Sequence, residues 1–185
     1  MNFYNAEQKI GYIDAFRNYF HTEKERKQRC VQLLWYAGGE IYNRIGLPLK
    51  ALPYYEEDLK IARKLSEESP TASNQRDLSV SLYKLGNLYL QLGHYQSAVD
   101  ILQEAVDGLD MVRMQSQYMV REEEIQIVES ALHLAQDCVE ADSRREELLK
   151  KLVLMDETTF ATFLEEFSQA ESMVLGHILD ALEGE

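Results

Sequence analysis

Apolar residues recur every three or four positions along nearly the whole chain, the spacing that gives a helix one buried stripe. Over residues 5–20 the stripe is Ile10, Ile13, Phe16 and Phe20, with Asn5 placed as the N-cap. Thr22 and Glu25 form a capping box. They open a long helix carrying Val31, Leu34, Trp35 and Tyr42, with Gly46 as its stop. Pro48 suits the first turn of a third helix, which runs through Leu59, Ala62 and Leu65 to Ser69 and Pro70. After the breaker at residues 70–74, a helix from about Asn74 to Leu92 ends at Gly93. Its partner starts near Tyr95, carries Ala98, Val99, Leu102, Ala105, Val106 and Leu109, and continues through Met111 and Met114. Further on, Ile125, Val128, Leu132, Ala135 and Val139 make another stripe, and a shorter helix follows through Leu148, Leu149 and Leu152. Asp156 is placed to cap a last helix with Phe160, Phe163, Leu164, Phe167, Val174, Leu175, Ile178 and Leu182 on one face. No convincing strand is present, so the pattern predicts an all-α fold.

Within this pattern the same punctuation occurs twice, 47 residues apart. Trp35, Gly39, Tyr42, Gly46, Ala51 and Tyr55 are answered by Leu82, Gly86, Tyr89, Gly93, Ala98 and Leu102. A constant offset marks stacked units, neither of which buries its apolar face alone. The glycines at 39 and 86 let a partner helix approach closely. Ala51 and Ala98 do so from the other side, and Tyr42 and Tyr89 fill the space between helices.

Gly86-Asn87-Leu88-Tyr89, followed by Gly93, Tyr95, Ala98, Leu102 and Ala105, resembles the tetratricopeptide repeat, and the earlier copy does too, down to Trp35. Residues 54–65 and 76–82 look like a lengthened bacterial variant with long helix pairs. The resemblance covers about residues 28–110. It implies a short antiparallel helix-pair solenoid, a superhelix with non-repeat helical caps. The expected division is an N-terminal capping helix (1–21), repeats over 22–69 and 70–116, a degenerate helical pair (117–155) and a closing helix (156–185). Pro53 departs from the pattern and is expected to kink its helix or shift its effective start.

In such repeats the first helix of each pair lines the concave face, where partners bind. Carried over by position, the groove residues are Leu33, Tyr36, Glu40 and Asn43 from one repeat. Val80, Tyr83, Asn87 and Leu90 come from the next. Two tyrosines, each a turn from a polar side chain, suit an extended or helical peptide; equally, both can pack against flanking helices. Asn87 matches a position that peptide-clamping members use, but Glu40 occupies its counterpart and no Lys/Arg pair stands beside them, which argues against capture of a free C-terminal carboxylate.

Charge refines this picture. Residues 1–100 hold 13 Lys/Arg and 12 Asp/Glu, whereas 101–185 hold 6 and 20, so the net charge of −13 lies in the C-terminal part. That part is a solvated face or a docking surface for a basic partner. Direct nucleic-acid binding is disfavoured for want of a concentrated basic patch. No run reaches the length of a membrane span, and the N-terminus lacks an export signal. Cys30 and Cys138 are far apart with no CxxC partner, which fits reduced core residues in a cytoplasmic protein.

The sequence contains no recognisable catalytic constellation. His21, His94, His133 and His177 are scattered without metal-binding spacing, and are expected at the surface or at helix ends. No phosphate loop and no nucleophile elbow is present. The expectation is therefore a non-enzyme without metal or cofactor. It is an interaction module, adaptor or scaffold, that binds a protein or peptide in the groove. Two alternatives stand beside it: a sensor that binds a small peptide or effector and signals through the acidic C-terminal part, and a homo-oligomeric structural protein, such as a homodimer through the closing helix.

Overall fold

Eighteen residues of helix open the structure, a computed structural model that describes residues 3–20, 26–153 and 167–183. Helix α1 is Phe3–Phe20, α2 Arg26–Arg44, α3 Pro48–Glu68, α4 Ala72–Gln91, α5 Tyr95–Gln115, α6 Glu122–Ser143, α7 Arg145–Val153 and α8 Gln169–Glu183. Among the described residues there is no strand. The expected Thr22–Glu25 box, the Asp156 cap and Phe160, Phe163 and Leu164 lie outside the described residues. So do the side chains of Phe16, Phe20, Cys30, Val31 and Leu182.

Neighbouring helices pack in antiparallel pairs, α2 with α3 and α4 with α5, and each pair stacks on the next through α3·α4 and α5·α6. The fold is an all-α helix-pair solenoid. Its turns are set by the two repeated glycines. Gly46 and Gly93 adopt φ of 76° and 72°, the left-handed region where a side chain is disfavoured. Each closes a Schellman motif: the Leu47 amide donates to the Tyr42 carbonyl (3.0 Å), and the His94 amide to the Tyr89 carbonyl (2.9 Å). Thr71 caps α4, its hydroxyl accepting from the Asn74 amide at 3.2 Å.

The core lies along the seam between helix layers. Ala51, Ala98, Leu102, Ala105 and Val112 are fully buried, and Tyr55, Leu82 and Leu88 nearly so. Small residues set the separation of α4 from α5: a side chain on Gly86 would collide with Leu102, and one on Gly108 with the Ser79 hydroxyl. At the solenoid's far end α6 packs on α5 and α8, whereas α7 packs on α8. The third layer is thus built from α6 and α8, a partnership that the expected helix pair over 117–155 did not contain.

Three expectations about helix boundaries are corrected. α1 already includes Phe3, so Asn5 lies inside the helix rather than capping it. Pro53 does not shift the start of α3, which runs from Pro48. Ala51, fully buried, anchors that first stretch before the proline, whose ring lies on the exposed side. Phe167 lies outside the last helix, which starts only after Ser168. Its hydroxyl accepts from the Glu171 amide (3.2 Å), while the Glu171 carboxylate accepts from the Ser168 amide (3.0 Å). This is a reciprocal capping box, legible in the sequence as Ser-x-x-Glu at 168–171.

Candidate functional site

The first helices of the pairs, α2 and α4, are tied into one layer with α6 by side chains that cross between them. Lys84 of α4 pairs with Glu40 of α2 at 2.9 Å, and Arg76 of α4 with Glu124 of α6 at 2.5 Å. The opposite layer has its own tie, a bidentate pair at 2.6 Å between Arg63 of α3 and Glu104 of α5.

Glu40 sits at the centre of the α2–α4 junction. Its Oε1 accepts from the Tyr55 hydroxyl at 2.7 Å and pairs with Lys84, while Oε2 faces Arg44 at 3.5 Å. Burial alone would raise its pKa. Hydrogen bonds from Lys84 and Tyr55, with the charges of Lys84 and Arg44, outweigh that and hold the carboxyl below its usual range. Burial likewise opposes the charge on Lys84, yet Glu40 more than compensates and its pKa is raised. The Tyr55 phenol is pushed up by burial and by the Glu40 carboxylate. Tyr36 completes the cluster, with its ring edge-on to Tyr55 at 6.5 Å and the Lys84 ammonium 5.7 Å above its centre.

Between α4 and α6 lies a pocket of about 200 Å³, lined by Arg76, Ser79, Val80, Tyr83, Lys84, Leu109, Glu124, Ile127 and Val128. Its walls are mainly apolar. Ile127, one of its lining residues, is more than half exposed (54%).

The expected groove residues divide accordingly. Val80 and Tyr83 line the pocket. Tyr36 and Glu40 form the α2–α4 junction and do not reach the pocket lining. Leu33 is exposed (62%) and Asn43 half-buried. Asn87 is half-buried, and its amide donates back to the Tyr83 carbonyl of its own helix at 2.9 Å. Leu90 is a correction: only 3% exposed, it is a core residue, because its side chain turns towards the packed seam. Tyr36 and Tyr83 each pack partly against the core as well as facing the layer's surface.

Among the residues expected to pack the repeat, the two glycines stand close against the partner helix of each pair. A Cβ on Gly39 would lie 2.7 Å from the Tyr55 ring, and one on Gly86 2.6 Å from Leu102 Cγ. Trp35 and Tyr42 both meet the Tyr54 ring, at 5.2 and 5.4 Å between centres. Tyr89 packs on His94 at 5.8 Å, and Leu82 is buried.

Sequence reasoning missed Arg76, Lys84, Glu124 and Ile127. The pattern at i, i+4 and i+8 in Arg76, Val80 and Lys84 was available on α4, but Glu124 and Ile127 come from a helix outside the repeat. His177 is a second correction. It is neither at a helix end nor free in solvent, because its ring bridges the Tyr95 hydroxyl (2.5 Å) and the Gln91 carbonyl (2.9 Å). Among the described residues no group of three or more His, Cys, Asp or Glu is placed to hold a metal, and no helix is long and apolar enough to cross a membrane.

The fold is that of a helical repeat protein. Residues 80–107 match the family model described as tetratricopeptide repeat, so this segment, from the middle of α4 to the middle of α5, is such a repeat. Comparison with curated proteins and with solved structures returns no match.

Proposed function

We propose that the chain is a non-enzymatic adaptor or scaffold that binds a peptide or protein segment along the face formed by α2, α4 and α6. The observation that carries this reading is the apolar pocket beside Val80 and Tyr83, on the first helix of the matched repeat. Leu33, Tyr36, Asn43 and Asn87 extend the same face, and the partly exposed tyrosines supply contact area at low entropic cost. Residues 22–69 and 70–116 act as the two repeats, 1–21 caps one end, and residues from 117 onward close the other. The buried free thiol of Cys138 fits a reducing, cytoplasmic compartment.

Selection from a random peptide library displayed on phage tests the reading. Wild type and Val80→Glu are compared once circular dichroism shows that both fold, with the exposed Leu33→Glu as a second variant that carries little folding cost. Enrichment of related peptides by wild type, reduced by Val80→Glu, is the expected result. Equal enrichment by all three proteins, or none by any, would overturn it.

A further inference from the structure

The pocket between α4 and α6 joins apolar walls to a surplus of hydrogen-bond donors, and the specificity this gives it rests on the peptide-binding role proposed for the same face. Arg76, Val80 and Lys84 share one face of α4 at i, i+4 and i+8. At a helical rise of about 1.5 Å per residue, the two cations are rooted about 12 Å apart. Val80, Tyr83, Leu109, Ile127 and Val128 line the same pocket.

The carboxylates already at the site are engaged. Glu124 gives one oxygen to Arg76 (2.5 Å) and the other to the Arg121 amide (3.0 Å). Glu40 gives one to Tyr55 and Lys84 and turns the other towards Arg44. The donors are not used up. Arg76 Nε is buried with no hydrogen-bond partner. Lys84 carries three N–H groups, more than its pair with Glu40 takes. An occupant that brings acceptors can bond the remaining N–H groups of Lys84 and of the outer guanidinium nitrogens of Arg76, while the buried Nε stays out of its reach. Basic side chains bring none.

We propose that this pocket takes an internal, extended peptide segment in which an aliphatic residue is flanked, two positions away on each side, by a carboxylate. In an extended chain residues i, i+2 and i+4 point the same way and span about 13 Å, close to the separation of the two cations. The aliphatic side chain enters between Val80 and Ile127, one carboxylate meets Arg76 and the other Lys84.

The test is fluorescence anisotropy on the full chain with labelled acetyl-Gly-Glu-Ser-Leu-Ser-Glu-Gly-amide, which has no free terminal carboxylate. Versions with both Glu changed to Gln, or to Lys, are run alongside. The acidic peptide is expected to bind about tenfold or more tighter than either, and to weaken as salt rises. Arg76→Gln and Lys84→Gln should each remove about tenfold of that affinity. Equal affinity for the three peptides, no binding of the acidic one at ~1 mM, or indifference to both substitutions would overturn the proposal. The comparison among peptides on unaltered protein stands even if a substitution disturbs folding. A library selection that enriches pocket-dependent peptides lacking the paired acids would overturn this inference and leave the peptide-binding role in place.

Discussion

Leu102 of α5 lies directly against Gly86 of α4, so close that a Cβ on the glycine would sit 2.6 Å from Leu102 Cγ. One repeat earlier the same relation holds between Gly39 and Tyr55, where the distance would be 2.7 Å. The two pairs are related by the 47-residue offset. The repeat therefore encodes how closely the two helices of each pair approach, with an aromatic ring filling the first site and an aliphatic side chain the second.

Gly86→Ala opposes two effects. Alanine is the better helix former by about 1 kcal/mol. Overpacking a tight core costs about 1–3 kcal/mol, and here the obstacle is a branch carbon in a fully buried side chain. Overpacking wins, and urea denaturation should show a net loss of up to about 2 kcal/mol. Leu102→Ala in the same chain makes room for the added methyl, so the double variant should exceed additivity by about 1 kcal/mol. Additive losses, or a stabilising Gly86→Ala, would refute the contact.

The helices of the repeat were legible because their signals are local. A left-handed glycine, a proline at a first turn and an apolar stripe act within one helix or one turn. Gly46, Gly93 and Pro48 stand where those signals put them. The pocket was half legible. Val80 and Tyr83 could be placed by the repeat, but Ile127 and Glu124 meet them only because α6 stacks on the α4–α5 pair. Spacing within one helix carries no record of which neighbour its exposed face will meet. Lys84 was missed for a related reason: its partner Glu40 is 44 positions away, on another helix.

His177 fastens α8 to the turn between α4 and α5. The Gln91 carbonyl can only accept, so Nε2 donates to it, and Nδ1 meets the Tyr95 hydroxyl. Burial, and then the neighbouring Cys138 and Asp142, push the Tyr95 phenol up, which keeps it a donor. His177→Phe keeps a ring over Gly93 but loses both bonds and leaves the Gln91 carbonyl without this donor. Amide hydrogen exchange across 169–183 should accelerate in step with a loss of about 1–3 kcal/mol, and Tyr95→Phe should have a smaller effect. Unchanged exchange in α8 would show that apolar packing alone holds it.

The Glu40 junction makes a prediction with a definite pH window. Its carboxyl pKa is lowered in the folded chain, so its contribution is complete above the unfolded value and is lost as pH falls through the folded one. Glu40→Gln should therefore cost about 1–2 kcal/mol near neutrality, with the difference from wild type closing in acid. Denaturation curves for both proteins between about pH 7 and pH 3 measure this. A difference that stays constant would assign the cost to geometry rather than charge.

Asp58 runs the other way. It lies on α3, 1% exposed, and neither carboxylate oxygen has a hydrogen-bond partner. Burial pushes its pKa up to about 6; Ser81 and Gln32 beside it moderate the rise, and the Asp77 charge adds to it. An acid whose folded pKa exceeds its unfolded one contributes stability that is fully present below the unfolded value, near 3.8, and is lost as pH rises through about 6. At neutral pH the fold thus carries a buried charge at a cost of about 3 kcal/mol, the free energy that separates a carboxyl titrating near 3.8 from one titrating at about 6. Asp58→Asn removes the charge while keeping the shape. The variant should be the more stable protein at pH 8, lose that advantage as pH falls towards 4, and show a flatter profile between them. Should wild type instead be the more stable at pH 8, the carboxylate must be held by partners strong enough to repay its burial, and α3 would be anchored through Asp58 rather than strained by it.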